Sequence, residues 1–403
     1  MTMRYWRQFG LVAALGFAVM SSGCGGSGGQ EELVIGEYGS LTGNDADFGQ
    51  STKKGVEMAL DELTASAQGK IGGLPVRAVV EDDQGRPEEA ATVVQKLINQ
   101  DRVLAVIGEV ASSRSLAGAP ICQTNSVPMI SPSSTNIKVT QVGDYIFRMC
   151  FIDDFQGVVM ARFTAENLGL KRVAILKDVK NDYSVGLTGV YTEAYVARGG
   201  TIVTEQAYSA GDQDFRAQLT SIKGKNPEAI FVPGYYGDVG LIARQARELG
   251  LKMPILGTDG WESDQLISIG GEALEGCYYS NHFAVDNPDP NLQSFLAKHK
   301  EKYGSEPNAI TGLAYDAAMV LFSSMQRLHE QDPTSFASLA ASKAGTEERK
   351  AASKKLRDII ATTTNYAGIT GVITLDENRN ATKPAVVIEI KGGKKVYNST
   401  VNP

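Results

Sequence analysis

From Leu33 onward, short apolar runs alternate with stretches in which apolar residues recur every three or four positions. Leu33-Val34-Ile35-Gly36 is a continuous apolar run closed by glycine, the mark of a strand buried on both faces. Val56, Ala59, Leu60 and Leu63 share one helical face, so the spacing predicts an amphipathic helix over 50–66. Gly72-Gly73 interrupts the chain, and Leu74 to Val80 reads as the next strand. Arg86-Pro87-Glu88-Glu89 opens a helix with proline and acids in its first turn. Val103 to Ile107 and Pro128 to Pro132 read as strands, with a helix starting at Ser112 between them.

The alternation restarts further on. Strands are predicted at 172–176, 201–205, 229–232 and 254–256, and helices at 184–198, 215–222 and 239–249. Strands alternating with helices imply parallel sheets covered on both faces. Two such series, before and after about residue 150, imply an α/β protein with two doubly wound lobes. Helices are expected at 291–303 and 315–328. Residues 336–355, rich in Ala, Ser and Lys, suggest an exposed polar helix. Leu375 to Asn380 suggests a hairpin turn joining 371–375 to 385–391.

The first thirty residues follow another pattern. Arg4 and Arg7 precede the apolar run Leu11 to Met20, then Ser21-Ser22-Gly23-Cys24 and a Gly/Ser stretch. A charged start, a short apolar run and small residues form an export signal. The run is shorter than the roughly 20 residues that span a bilayer. Cys24 stands where a bacterial lipobox carries its lipidated cysteine, although Ser21 replaces the usual larger aliphatic. The chain is therefore expected in the periplasm, tethered at most by an N-terminal lipid.

Composition narrows the remaining classes. The net charge is −7 without a basic cluster, which argues against nucleic acid or an anionic membrane as partner. Besides Cys24 there are Cys122, Cys150 and Cys277. They allow one disulfide, with Cys122–Cys150 favoured because these two flank adjacent segments, or three buried unpaired thiols. The sequence has no Cys/His cluster, phosphate-binding glycine loop or nucleophile elbow, so neither metal nor cofactor is expected, nor an enzyme. The Asp82-Asp83 pair reads as a strand-end cap for the next helix. Of the three histidines, His299 and His329 fall on polar helix faces and His282 follows a strand.

Ligands of open parallel sheets bind beyond the carboxyl ends of the strands. The segments there are hydroxyl-rich in the first series, Gly108 to Ser115 and Ser131 to Asn136. Hydroxyls with backbone N–H groups at a helix start suit a carboxylate, although Ser112 and Ser133 equally suit helix caps. In the second series the strand ends carry Tyr183, Tyr235-Tyr236 and Asp259-Gly260-Trp261. Aromatic walls suit a small apolar or zwitterionic ligand, and Asp259 suits an ammonium group or a helix cap.

The chain resembles the periplasmic branched-chain amino acid binding proteins of ABC transporters, the leucine/isoleucine/valine type. The resemblance runs from Leu33 to about Ile390. It rests on Gly39 to Gly43, Glu81 to Gly85, Ile130 to Asn136, Phe147-Arg148 with Asp153 and Gln156-Gly157, Gly257 to Trp261, and Ala314 to Ala317. It is weakest near Asn308 to Ile310. It implies two lobes joined by three crossovers, 31–149 with 282–365 and 150–281 with 366–403, closing on the ligand. It places Ser112, Ser133 and Thr135 on the ligand's carboxylate and ammonium, and Tyr183 and Tyr235 on the closing lobe. Asp259 falls on the ammonium, Phe48 beside the side chain, and Val110 and Ala111 along the side-chain pocket. Glu109 puts an extra charge beside that pocket. The implied partners are an amino acid and ABC permease subunits, with the protein itself monomeric. A ligand lacking an ammonium (an amide, urea or an aromatic acid) or a sensor role is the alternative.

Overall fold

A computed structural model describes residues 32–402 apart from Asp286 and Lys343. The expected export signal and Cys24 lie outside the described residues. The first sheet holds β1 (Leu33–Gly39), β2 (Lys70–Ile71), β3 (Leu74–Asp82), β4 (Val106–Ile107), β5 (Met129–Ser131) and β6 (Ile146–Arg148), in the order β2-β3-β1-β4-β5-β6. All its pairings are parallel except β2 with β3. Successive residues of β1 feed opposite faces. Leu33 and Ile35 pack with Val56, Ala59 and Leu63 of helix Ala46–Ala67 and with Leu313 and Leu321 of helix Ala309–Gln331. Val34 packs with Val94 and Leu97 of helix Pro87–Asn99. The two helices on the first face approach closely at Gly55, where a Cβ would stand 2.3 Å from the Thr311 carbonyl oxygen.

The second sheet holds β7 (Arg172–Asp178), β8 (Thr201–Tyr208), β9 (Ala229–Phe231), β10 (Ile255–Gly257) and β11 (Tyr278–Asn281). These five are parallel in the order β11-β10-β9-β7-β8. A three-stranded antiparallel sheet follows in the chain, formed by β12 (Tyr366–Gly368), β13 (Gly371–Leu375) and β14 (Ala381–Thr382). The final hairpin, β15 (Ala385–Lys391) and β16 (Lys394–Val401), extends the second sheet beyond β11. The chain passes between the sheets three times: after β6, after β11, and between β14 and β15.

Several expectations are corrected. Residues 336–355 form no single exposed helix. Helices Pro333–Ala341 and Glu347–Ala361 bury Phe336, Leu339, Leu356 and Ile360 in the first lobe's core, so their polar composition belongs to the outer face only. Asp376 does close a turn, its carboxylate accepting from the backbone N–H groups of Asn378 and Asn380. However, β13 pairs with β14 rather than with 385–391, because the chain leaves for the other lobe directly after β14. Ile373, Leu375 and Ala381 pack with Leu33 and Ile35, so the segment expected in the second lobe from 366 joins that lobe's sheet only from Ala385. Cys122, Cys150 and Cys277 are unpaired and buried. Cys122 packs with Val34 and Cys150 with Leu33 and Ile35, on opposite faces of one sheet, which prevents the expected disulfide. His299 is buried, not on a polar face; its Nδ1 lies 2.7 Å from the Ser305 carbonyl oxygen. No helix among the described residues is long and apolar enough to cross a membrane.

Candidate functional site

Each candidate side chain stands just past the carboxyl end of a parallel strand, where the next helix begins. Phe48 is in the first turn after β1, Val110, Ala111 and Ser112 follow β4, and Ser133 and Thr135 follow β5. Tyr183 follows β7, Tyr235 follows β9 and Asp259 follows β10. The two sets face each other. Phe48, Val110 and Ser133 from one lobe and Tyr183, Tyr235 and Asp259 from the other line a small, tightly closed cavity. Gly260 and Ile310 complete its wall, so the segment where the resemblance is weakest supplies an apolar side chain after all. Phe48 meets Tyr235 edge-on at 5.3 Å between ring centroids, and Tyr183 stacks on Tyr235 at 5.3 Å. Ala111, Ser112 and Thr135 are buried but are not among the lining residues. The Ser112 hydroxyl accepts from the Asn136 N–H at 3.2 Å, tying the β4 and β5 loops together.

Most hydroxyls of those two loops have structural work. Ser131 and Ser134 donate to the Glu109 carbonyl at 2.7 and 2.8 Å, and Ser115 lies 2.7 Å from the Ser134 hydroxyl. The Glu109 side chain turns away from the ligand pocket. It accepts from the Ser40 hydroxyl at 3.1 Å and from the Ala111 N–H, and pairs with Arg114 at 3.1 Å. Arg114 also pairs with Asp45 at 2.9 Å; Glu109 and Arg114 are buried, while Asp45 is partly exposed at the cleft edge. Neighbouring Asp83 is pushed up by burial and then by the Glu109 charge. Asp82 and Asp83 do not cap the following helix, whose N-cap is Arg86. Asp82 accepts from Leu41 N–H, Thr42 N–H and the Thr42 hydroxyl, and Asp83 from the Ser40 hydroxyl, so the pair anchors the loop after β1.

Asp259 is held differently. The Gln156 amide and the Tyr183 hydroxyl donate to its Oδ1 at 2.9 and 2.8 Å, and His282 Nε2 lies 3.0 Å from its Oδ2. The Asp259 N–H returns a bond to Gln156 Oε1, and the Ser280 hydroxyl donates to the same oxygen at 2.9 Å. The Trp261 indole, donating to the Val232 carbonyl, fixes the turn that carries Asp259. Gln156 also donates to Asp153 at 2.9 Å, and burial followed by the Asp259 charge raises Asp153 to about 7. Burial and the same charge push the Tyr183 phenol upward. A buried carboxylate whose hydrogen-bonded neighbours are an amide, a phenol and an imidazole suits a cationic partner chemically.

The lobes touch directly around the cavity. Ser113 donates to Asp182 Oδ2 at 3.1 Å and accepts the Asp182 N–H at 3.0 Å. The Asn136 amide donates to the Asp182 carbonyl, Tyr236 accepts the Asp47 N–H, and Ser263 donates to Asp47. Glu262 reaches from the second lobe to the Ala309 N–H at the start of helix Ala309–Gln331. These bonds hold a closed arrangement. Gln156, Ser280 and His282 are not among the site residues the sequence points to. Gln156-Gly157 was visible as a motif, but nothing local showed that it reaches a residue 103 positions away.

Residues 32–395 match the family profile described as periplasmic binding protein. The leucine-, isoleucine-, valine-, threonine- and alanine-binding protein of Pseudomonas aeruginosa is 30% identical over 334 residues, 82% of this chain and 86% of that one. A leucine binding protein of Thermotoga maritima superposes with a TM-score of 0.84 at 38% identity, covering 92% of this chain and 99% of that one. A branched-chain amino acid transporter substrate binding protein of Streptococcus pneumoniae, solved with isoleucine, superposes with a TM-score of 0.82 at 31% identity, covering 92% and 100%.

Proposed function

Because the chain belongs to the periplasmic binding protein family, we propose that it captures an amino acid with an aliphatic side chain between its lobes and delivers it to an ABC permease in the membrane. The observation that carries this reading is Asp259, a buried carboxylate on the cavity wall whose hydrogen-bonded neighbours are Gln156, Tyr183 and His282. An ammonium suits such a carboxylate; a second carboxylate or a neutral amide leaves it uncompensated. Phe48, Val110 and Ile310 give the rest of the cavity an apolar wall suited to an aliphatic chain. The ligand carboxylate falls to the first lobe, to Ser133 and to the Ser112 and Thr135 region at the start of helix Ser112–Thr124. Export to the periplasm, with Cys24 as lipid anchor, completes the reading.

A thermal-shift screen of the mature chain against the proteinogenic amino acids, urea, short amides and aromatic acids tests it. Ligand at a hundred times its dissociation constant stabilises by about 2.7 kcal/mol. A rise in Tm with leucine, isoleucine or valine is the expected result. A response confined to amides or aromatic acids overturns the amino acid assignment while keeping the fold.

A further inference from the structure

Asp259 is gripped from one side that family resemblance did not suggest. His282 is the first residue after β11, in the second of the three crossovers, and its side chain is 1% exposed. An ionised carboxylate only accepts hydrogen bonds, so the Nε2 beside Asp259 Oδ2 carries the hydrogen. Nδ1 is buried without a partner among the described residues. A proton there would leave an N–H unpaired away from water, so the geometry selects the neutral Nε2–H ring. The charged groups around the ring act on both sides. Burial pushes His282 below its ordinary value, with Lys383 adding to it, while Asp259 and Glu262 oppose. Asp259 thus gains a donor at Oδ2 without gaining a countercharge.

The same ring touches the hinge. It stacks on Phe151 of the first crossover at 4.0 Å between centroids and 26° between planes. Lys383, between β14 and β15, lies in the third crossover. It is buried, and its ammonium donates to the Thr370 hydroxyl, which is also bonded to Asp316. The first and second crossovers therefore meet at one imidazole whose far edge holds the acid on the cavity wall, with the buried charge of Lys383 from the third acting on the ring from beyond hydrogen-bond contact.

Resting on the reading of the ligand as an amino acid, we propose that His282 is a positioning residue of the ammonium subsite. Its neutral N–H aims Asp259 Oδ2 at the ligand and leaves that oxygen's charge for the ammonium. Its stack on Phe151 ties the same carboxylate to the crossovers about which the lobes close.

The test combines imidazole nitrogen NMR on the ligand-free mature chain with binding calorimetry. Only three histidines are present, and His282→Gln assigns the signal. The ring of His282 is expected as the neutral Nε2–H tautomer at pH about 6, below the ordinary midpoint. Calorimetry uses leucine and 4-methylpentanoate, which is leucine without its ammonium. His282→Leu is expected to weaken leucine at least about tenfold while 4-methylpentanoate stays within about twofold. His282→Gln, which keeps an N–H, should retain more of the leucine preference than His282→Leu. A charged ring or an Nδ1–H tautomer overturns the proposal even if His282→Leu fails to fold. So does wild-type leucine preference in His282→Leu, or equal losses in both variants. A wild-type chain that shows the expected tautomer yet binds no amino acid defeats the functional reading instead, and the ammonium role with it.

Discussion

Two buried pairs of acids flank the cavity, one in each lobe, and they have opposite uses. In the first lobe Asp83 and Glu109 share the Ser40 hydroxyl, and Arg114 sits on Glu109 at 3.1 Å. In the second lobe Asp153 and Asp259 share the Gln156 amide, and the groups bonded to Asp259 are an amide, a phenol and an imidazole. Glu109 has its countercharge inside the protein, so it fixes a loop. Asp259 lacks one among its hydrogen-bonded neighbours and lines the cavity, and in the proposed reading its countercharge is the ligand's ammonium. Residue type and burial are alike in the two places. The charge of the partner is what separates a carboxylate serving the architecture from the one proposed as a receptor.

The sharpest way to break this contrast is Asp259→Ala. Removing one member of a buried charge pair costs roughly 3–5 kcal/mol, so amino acid affinity should fall by two orders of magnitude or more in calorimetry. An unchanged dissociation constant would remove Asp259 from the site. Glu109→Gln should show the reverse profile. It strips Arg114 of one of its two anions and is expected to cost about 3 kcal/mol of stability in denaturant unfolding, with affinity altered only a few-fold. Equal losses of affinity in the two variants would erase the distinction between the lobes.

The pH dependence sharpens it further. Asp153 is raised to about 7, against about 3.9 in an unfolded chain. The folded state therefore binds the proton more tightly. Its contribution to stability is complete below about pH 4 and is lost as pH rises through about 7. Unfolding of the ligand-free protein followed across that window should show this decline, and Asp153→Asn should flatten it. A decline of the same size in Asp153→Asn would assign it to other groups, Asp83 among them. The smallest effect is expected from Ser113→Ala, which deletes both bonds to Asp182 across the cleft. Losing about 1 kcal/mol of closure raises the dissociation constant roughly five-fold, and solution scattering at saturating ligand should show a less compact average.

Much of the site was legible because the fold places ligands by rule. Once strands and helices alternate in the sequence, the positions after each strand are the candidates, and Val110, Ser133, Tyr183, Tyr235 and Asp259 stand there, while Phe48 comes only from the family resemblance. The same rule overcounted. Ser131 and Ser134 also follow β5, yet their hydroxyls are spent on the Glu109 carbonyl, and no local pattern separates them from Ser133. The 336–355 segment was misread for a related reason. Two amphipathic helices whose buried faces hold only a few large side chains look polar in composition, and the partner face that buries Phe336 and Leu356 belongs to distant residues.

The sequence by itself determined the two-lobed α/β class, because hydrophobic periodicity and strand-end chemistry are local and each element is decided within about a dozen residues. Only the tertiary structure decided which acids are neutralised, which cysteines can meet and which residues hold Asp259. Those depend on pairs separated by many positions, such as Gln156 with Asp259 and Phe151 with His282, and on which face of a sheet each partner occupies. Charge compensation acts over a few ångströms of space, and one sequence records no distances.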